Sequence, residues 1–162
     1  MGAGALGDRP EYLKQIKRKI ANYCAYRERC TSEVRDKLTS YECQPDEVDE
    51  LLTFLEAEGF LDDQRFAQAY AKDKFRQNKW GKIKIRLYLK QKQLSSDLIE
   101  EGLSSIPEQE YLDTLDHLVE RKYKSVMGEN AYIKSNKTAQ SIVGKGYESD
   151  LVWTAIRSMG KE

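Results

Sequence analysis

Hydrophobic residues recur along this chain with the spacing of α-helices. Gaps of three and four residues place such side chains on one face of a helix. Three stripes of this kind fill the first third of the chain: Leu13, Ile16, Ile20 and Tyr23; then Val34, Leu38 and Tyr41; then Val48, Leu51, Leu52 and Leu55. Because no alternating strand pattern competes with them, the sequence predicts an all-α fold.

The stripes then repeat. Three further helices are indicated by Phe66, Tyr70 and Phe75, by Ile85 and Leu89, and by Ile99 and Leu103. A long stripe after Pro107 begins a third set: Leu112, Leu115, Val119, Tyr123 and Val126. A shift of about 51 residues places Val34 on Ile85 and Leu38 on Leu89, and a further shift of about 53 places Leu89 on Ile142. Periods of this length are typical of stacked repeats, because one unit alone buries too little apolar surface.

We therefore predict three tandem three-helix repeats, resembling helix-turn-helix units, in an elongated, curved arrangement. The predicted boundaries are 10–60, 61–106 and 107–162, after a flexible N-terminal tail over residues 1–9. The alternative is a single irregular helical domain, since the repeats agree in spacing more than in residue identity.

Local signals indicate where several helices begin and end. Pro45 suits the first position of a helix, and Asp46 and Glu47 complement the positive end of its dipole. Gly59 is placed to end the same helix. Either Ser95 or Ser96 is expected to cap the sixth helix.

Charge is segregated along the chain, although Lys and Arg (27) balance Asp and Glu (27) overall. Residues 38–64 contain no Lys or Arg, whereas residues 72–92 contain nine cations and one acid, Asp73. Such segregation favours a binding surface in the second repeat. A solvated helix face of one sign is the alternative.

The predicted fifth helix concentrates these cations. At about 100° per residue, Lys82, Arg86 and Lys90 form one ridge, between an apolar arc of Ile85 and Leu89 and another of Ile83 and Leu87. This arrangement predicts a helix wedged between repeats with a basic ridge exposed. Trp80, in the preceding turn, could stack on a nucleobase or a partner surface, or it could fill the gap between repeats.

The sequence offers little for catalysis or metal binding. Cys24, Cys30 and Cys43 have no zinc-site spacing, and His117 is the only histidine. Asp62 and Asp63 precede a helical stripe, where capping is their expected role. We expect reduced thiols, with Cys24 packed as a small hydrophobe, no metal or cofactor, and no enzymatic activity.

Other features bear on location and on nucleic-acid binding. The chain shows neither a membrane-spanning stretch nor a signal peptide, so a cytoplasmic protein is expected. The third predicted helix carries only acidic charges, from Asp46 to Glu58. Because a DNA groove lined by phosphates repels such a helix, base-specific reading is not expected there.

Three segments resemble the RecX family of bacterial RecA regulators. They are residues 59–70, with Leu61-Asp62-Asp63 and Arg65-Phe66-Ala67; residues 27–34, followed by Lys37-Leu38; and residues 81–89, continuing to Ile99. The chain departs from the family at Cys30, where serine would complete a capping box, so Thr31 is expected to take over the cap. Arg29 replaces a histidine, and Gln93-Leu94 lacks a usual glycine.

The resemblance implies an all-α modular protein that binds RecA and the groove of the RecA–DNA filament. It implies damping of strand exchange, ATP hydrolysis and the coprotease activity that triggers the SOS response. Charge and position select the residues expected to contact the filament or DNA: Arg65, Lys72, Arg76, Lys79, Trp80, Lys82, Arg86 and Lys90.

Two other functions remain open from the sequence. One is a non-sequence-specific DNA-binding protein that competes for single- or double-stranded DNA through backbone contacts of the basic central repeat. The other is a helical adaptor unconnected with recombination. Patchy charge and the lack of a heptad seam favour a monomer with no membrane partner.

Overall fold

The all-α prediction is confirmed by a computed structural model, which describes residues 4–159 and the side chains of residues 9–159. Within this range the chain forms nine α-helices and no strand. They are α1 (Gly4–Tyr26), α2 (Thr31–Ser40), α3 (Pro45–Ala57), α4 (Asp63–Asn78), α5 (Lys82–Gln91), α6 (Ser96–Ser104), α7 (Glu108–Ser125), α8 (Ala131–Gly144) and α9 (Ser149–Met159).

The helices follow one another as three triplets, but their packing divides the chain into two compact units. The N-terminal unit comprises Met1–Phe66 and Lys92–Leu94, and the C-terminal unit comprises Ala67–Gln91 and Ser95–Glu162. The second and third triplets therefore share one unit. The boundaries proposed after residues 60 and 106 remain predictions.

The flexible tail expected over residues 1–9 stays a prediction, and its residues 1–3 lie outside the described range. In the structure, helix α1 begins at Gly4. Arg9 forms an ion pair with Glu47 near the start of α3 and also donates to the Glu42 carbonyl at 3.2 Å. Arg9 therefore contacts the rest of the N-terminal unit.

The N-terminal unit has its own hydrophobic core, built from the three predicted stripes. The fully or nearly buried side chains include Ile16, Ile20, Cys24, Val34, Leu38, Cys43, Val48, Leu51, Leu52, Leu55 and Leu61. Cys24 packs there as a small hydrophobe, as predicted, and all three cysteines are free and buried. Burial raises the pKa of each thiol, which disfavours the reactive thiolate.

The expectation that Thr31 caps α2 is wrong. Cys30 is the N-cap residue, and its backbone N–H donates to Glu33 Oε1 at 3.1 Å. Thr31 is the first helical residue, and its N–H donates instead to Asp63 Oδ1 at 2.8 Å. A carboxylate 32 residues away thus satisfies one of the N–H groups that the start of α2 leaves without a partner in the helix.

The junction between α3 and α4 follows the predicted signals. Pro45 is the first residue of α3. Gly59 adopts φ +78°, and the N–H of Phe60 donates to the Leu55 carbonyl at 2.9 Å, as in a Schellman motif. Asp62 then caps α4 by accepting from the Arg65 N–H at 3.1 Å.

Each triplet has one residue with a left-handed backbone conformation at the same point. Glu42 (φ 63°), Gln93 (φ 66°) and Gly146 (φ 101°) lie in the turn before the third helix of each triplet. Their separations match the shifts of about 51 and 53 residues that align the hydrophobic stripes. The backbone thus repeats with the sequence pattern, although a glycine stands at only one of the three positions.

Gln93→Gly is expected to stabilise the protein by about 0.5 to 1 kcal/mol, because a side chain in the left-handed region is strained and glycine is not. Chemical denaturation followed by circular dichroism measures the change. Gln140→Gly, in the interior of α8, is the matched control and should destabilise by a similar amount of about 0.5 to 1 kcal/mol. Destabilisation by both variants would contradict the prediction.

The C-terminal unit is centred on stacked aromatic rings. Phe75 and Tyr111 have ring centroids 5.6 Å apart, and Tyr111 and Tyr147 have centroids 5.2 Å apart. All three side chains are buried. They tie α4, α7 and the turn before α9 together, and this cluster supports the α4–α5 segment that contains most of the predicted site.

Candidate interaction surface

The turn between α4 and α5 carries Lys79, Trp80 and Gly81. Lys79 adopts φ 59°, and the Trp80 N–H donates back to the Lys74 carbonyl at 3.2 Å, which ends α4. The N–H groups of Gly81 and Ile83 donate to the carbonyls of Lys145 and Gly146, each at 2.9 Å. The α8–α9 turn therefore caps α5, although the two are distant in sequence.

Two buried tyrosines fix this turn further. The Tyr111 hydroxyl accepts from the Lys82 N–H at 3.0 Å and donates to Glu148 Oε1 at 2.5 Å. The Tyr147 hydroxyl donates to the Lys79 carbonyl at 3.0 Å. Burial is the main cause that raises the pKa of both phenols, so they remain protonated donors. The start of α5 is thus fixed by hydrogen bonds with the α8–α9 turn and with both tyrosine hydroxyls.

The three arginines of the predicted binding face are already paired within the protein. Arg65, in the N-terminal unit, meets Glu28 at 2.7 Å. In the C-terminal unit, Arg76 forms two hydrogen bonds of 2.9 Å with Glu110. Arg86 forms two with Glu100, at 2.7 and 3.1 Å. Each of these arginines therefore has a carboxylate partner within the protein. The partner neutralises the positive charge for which the arginine was predicted to contact phosphate.

In the two ion pairs of the C-terminal unit, the pKa values of both the arginine and the glutamate are shifted. The hydrogen bond from Arg76 lowers the pKa of Glu110, and the hydrogen bond from Arg86 lowers the pKa of Glu100. The arginine pKa values are raised by the same bonds. Each pair is therefore fully charged near neutral pH.

The lysines of the predicted face divide into two kinds. Lys82 is only 18% exposed, with its Nζ 4.7 Å from the Tyr111 ring centre and 3.8 Å from Glu108. Lys72, Lys79 and Lys90 form no ion pair with any residue in the described range. Lys79 and Lys90 are exposed and Lys72 is half-buried. The free positive charge of the predicted face therefore resides on these three lysines.

Trp80 packs within its own unit. Its ring centre lies 4.7 Å from that of Tyr88, and the Nζ atoms of Lys84 and Lys74 lie 4.5 and 5.1 Å from it. The side chain is half-buried. Of the two roles that the sequence left open for Trp80, these contacts favour the structural one.

The residues predicted to form the exposed ridge of α5 are not the residues that the structure exposes. Ile85 and Leu89 are buried, whereas Ile83 and Leu87 are 48% and 52% exposed. The second apolar arc therefore faces solvent and is not wedged between repeats. Lys82 and Arg86, which were expected outside, are held by neighbouring side chains of the same unit. Spacing revealed two apolar arcs but could not tell which arc has a packing partner.

Two cations on α1 of the N-terminal unit were not among the predicted site residues. Lys14 and Arg18 are exposed and form no ion pair with the residues that the structure describes. Their i, i+4 spacing, which places them on one face of the helix, is the sequence signal that could have revealed them.

The described residues form neither a metal site nor a membrane span. No group of three or more His, Cys, Asp or Glu side chains is arranged to hold a metal ion. No helix in the same range is both long enough and apolar enough to cross a membrane.

Two sequence models match the chain, and both describe RecX domains. The model of the first three-helix domain of RecX matches residues 17–55, and the model of the second three-helix domain matches residues 62–103. The first match covers the C-terminal part of α1, all of α2 and most of α3, and the second covers α4, α5 and nearly all of α6.

Curated relatives carry the same family name. The chain is 34% identical over 127 residues to the regulatory protein RecX of Clostridium botulinum (strain Eklund 17B / Type B), covering 77% of this chain and 59% of the relative. It is 26% identical over 140 residues to the regulatory protein RecX of Streptococcus gordonii, covering 86% and 54%. The chain thus spans less than two thirds of the length of these relatives.

Solved structures share the fold. The crystal structure of RecX from Lactobacillus salivarius superposes with a TM-score of 0.85 at 23% identity, covering 93% of this chain and 98% of that one. A second crystal structure, of a regulatory protein RecX, gives 0.80 at 19% identity, covering 91% and 72%. At these identities the likeness concerns the arrangement of helices.

Proposed function

Because the chain belongs to the RecX family, we propose that it is a regulatory protein that binds RecA and the RecA–DNA filament. Binding lowers the recombinase, ATPase and coprotease activities of RecA, and thereby tunes recombination, DNA repair and the SOS response. The protein acts in the cytoplasm by occupying a surface of its partner, without catalysis and without a cofactor. It does so as a monomer.

The observation that carries the proposal is the surface around α5 in the second RecX-type domain. There, Lys84 and Lys90, which form no ion pair within the described range, flank exposed apolar side chains on a helix that the α8–α9 turn and two buried tyrosines hold in place. A protein interface typically combines an apolar centre with a polar rim. Complementary charge at such a rim supports fast and correctly oriented association more than raw affinity.

Within this surface we assign direct contact to Lys72, Lys79 and Lys90. Trp80 borders the contact and supports it through its packing. Arg65, Arg76, Lys82 and Arg86, which the sequence also selected, stabilise the protein through their ion pairs and ring contacts. Arg76, Lys82 and Arg86 thereby stabilise the unit that presents the lysines, and Arg65 stabilises the N-terminal unit.

ATP hydrolysis by the cognate RecA on single-stranded DNA, measured while this protein is titrated in, tests the proposal. We expect inhibition far below one copy per RecA protomer, because blocking filament growth at few sites affects many protomers. The inhibition should survive moderate salt. Absence of inhibition at a stoichiometric amount, at both low and moderate salt, would contradict the proposal.

Competition for DNA is the second candidate function, and two cations of α1 favour it. Lys14 and Arg18 are exposed and form no ion pair within the described range, and phosphate contacts by such side chains need no base recognition. In the ATPase titration, this function gives inhibition only at DNA-saturating amounts. Because counterions are released on binding, with a log–log slope of about −5 for six phosphates, salt would remove the inhibition.

A further inference from the structure

We propose that the exposed apolar strip on α5, formed by Ile83, Leu87 and Tyr88, is the docking site for an acidic, amphipathic segment of a partner protein. Identification of that partner as RecA rests on the function proposed above. The docking site itself is argued from exposure, packing and charge.

Two aliphatic side chains form the centre of the strip. Ile83 and Leu87 are four residues apart and are therefore neighbours on the helix surface. Tyr88 lies about 100° further round the helix than Leu87, where its ring packs on Trp80 at 4.7 Å between centres. The exposed fractions of Ile83, Leu87 and Tyr88 are 48%, 52% and 37%. Scattered single apolar residues are ordinary on protein surfaces, but a contiguous group beside polar residues is typical of an interaction site.

The helix presents this strip rigidly. On the opposite face Ile85 and Leu89 are completely buried. At the N-terminus, the Gly81 and Ile83 N–H groups are held by carbonyls of the α8–α9 turn. The strip therefore does not have to fold before it binds, and less conformational entropy is lost on association than for a flexible loop.

The lysines around the strip favour a partner segment with negative charge. On a helical wheel Lys90 adjoins Ile83 on one side, and Lys84 lies between Leu87 and Tyr88 on the other. Lys74 approaches from α4, with its Nζ 5.1 Å from the Trp80 ring centre. None of these three lysines forms an ion pair within the described range, so carboxylates on the partner would supply the missing counter-charges.

The chemistry of the strip favours a protein over a nucleic acid. Nucleobases stack on open aromatic faces, whereas Ile83 and Leu87 are aliphatic and the Trp80 ring is engaged by Tyr88 and two lysines. Aliphatic side chains on a helix fit the apolar face of an amphipathic segment. We therefore infer a partner segment with apolar residues at helical spacing, flanked by Asp or Glu.

The test compares two double variants of the full chain. Ile83→Ser with Leu87→Ser removes the centre of the strip without changing charge. Met127→Ser with Tyr132→Ser is the matched control, because both of these apolar residues are also largely exposed but lie outside α5. Circular dichroism and thermal unfolding establish that both variants remain folded.

Four probes are titrated against each protein. They are the cognate RecA filament on single-stranded DNA, a synthetic amphipathic helical peptide with Leu on one face and Glu on the other, the same peptide with Lys in place of Glu, and oligo-dT. A further change, Trp153→Phe, leaves Trp80 as the only tryptophan, so its fluorescence reports occupancy beside the strip.

We expect the Ile83/Leu87 variant to bind both the filament and the acidic peptide about thirtyfold more weakly, the typical effect of losing an interface hot spot. The control should bind like the unaltered protein, and the Lys peptide should not bind. Unchanged binding of the filament and the acidic peptide by the Ile83/Leu87 variant would overturn the inference.

Other outcomes separate the two proposals. If the unaltered protein binds the acidic peptide but not RecA, and the strip variant loses the peptide, the docking site stands and the proposed function fails. If RecA binds equally well to both variants, the proposed function stands and the docking site fails. If oligo-dT binding falls thirtyfold in the strip variant while the acidic peptide never binds, the strip contacts nucleic acid and the inference is wrong.

Discussion

Gly81→Ala is expected to destabilise the C-terminal unit by about 3 to 5 kcal/mol, the upper end of the effect of overfilling a packed site. A Cβ atom at this position would lie 2.2 Å from the Gly146 carbonyl carbon and 2.3 Å from its oxygen. Both are backbone atoms, so no side-chain rotation relieves the clash. The α8–α9 turn must move away instead.

That movement also removes hydrogen bonds. The Gly81 and Ile83 N–H groups lose the carbonyls of Lys145 and Gly146, and each such bond contributes about 1 kcal/mol net. Gly146→Ala should act similarly, because its φ of +101° disfavours any side chain and its Cβ would lie 2.4 Å from the Lys84 Cβ. The two glycines thus permit a close approach of two backbones.

Urea denaturation followed by tryptophan fluorescence measures the effect. Both tryptophans of the chain, Trp80 and Trp153, lie in the C-terminal unit, so the signal reports that unit. Gly144→Ala is the matched control, because nothing lies within 4 Å of its Cβ position. It ends α8, and alanine there should stabilise by up to about 1 kcal/mol. Equal urea midpoints for Gly81→Ala and Gly144→Ala would refute the proposed close packing of the two backbones.

Reversal of the three free lysines, Lys72→Glu, Lys79→Glu and Lys90→Glu together, is expected to raise the concentration needed to inhibit RecA about a hundredfold. Each reversal replaces an attraction with a repulsion, for a combined effect of about 3 kcal/mol. The protein should remain folded, because none of these lysines forms an ion pair in the described structure. ATPase inhibition at low and moderate salt is the measurement.

A charge swap provides the control for this prediction. Arg76→Glu combined with Glu110→Arg preserves the net charge and can restore the ion pair in the reverse orientation. If Arg76 serves the fold, as its two hydrogen bonds of 2.9 Å indicate, the swapped protein inhibits RecA normally. The single change Arg76→Glu should lower stability instead. Loss of inhibition in the swap, with normal inhibition by the lysine variant, would reverse our assignment of contact residues.

Much of the fold was predictable because its determinants are local. Pro45 begins α3, Gly59 ends it and Ser95 caps α6 by accepting from the Leu98 N–H, all as the sequence indicated. Hydrophobic spacing found the core faces, including Val34, Leu38 and Leu55. These signals act over about four residues, which is the reach of one helical turn.

The candidate surface was less predictable because its determinants are distant in sequence. Arg76 and Glu110 are 34 residues apart, and Arg65 and Glu28 are 37 apart. A count of charges along residues 72–92 cannot separate the paired arginines from the free lysines. The ion pair of Arg9 could not be predicted for the same reason, since its partner Glu47 lies 38 residues away.

The sequence by itself determined the all-α class, the helical repeat and the concentration of basic residues around α4 and α5. Periodicity and capping depend on neighbouring residues, and charge content is a property of composition. Only the tertiary structure decided which cations remain unneutralised and which apolar arc of α5 stays exposed. The pairing of a cation and the burial of an apolar arc both depend on which side chains the packing of the helices brings together. Those neighbours, together with access to water, determine how much free energy it costs to place a charged or an apolar side chain at a given position.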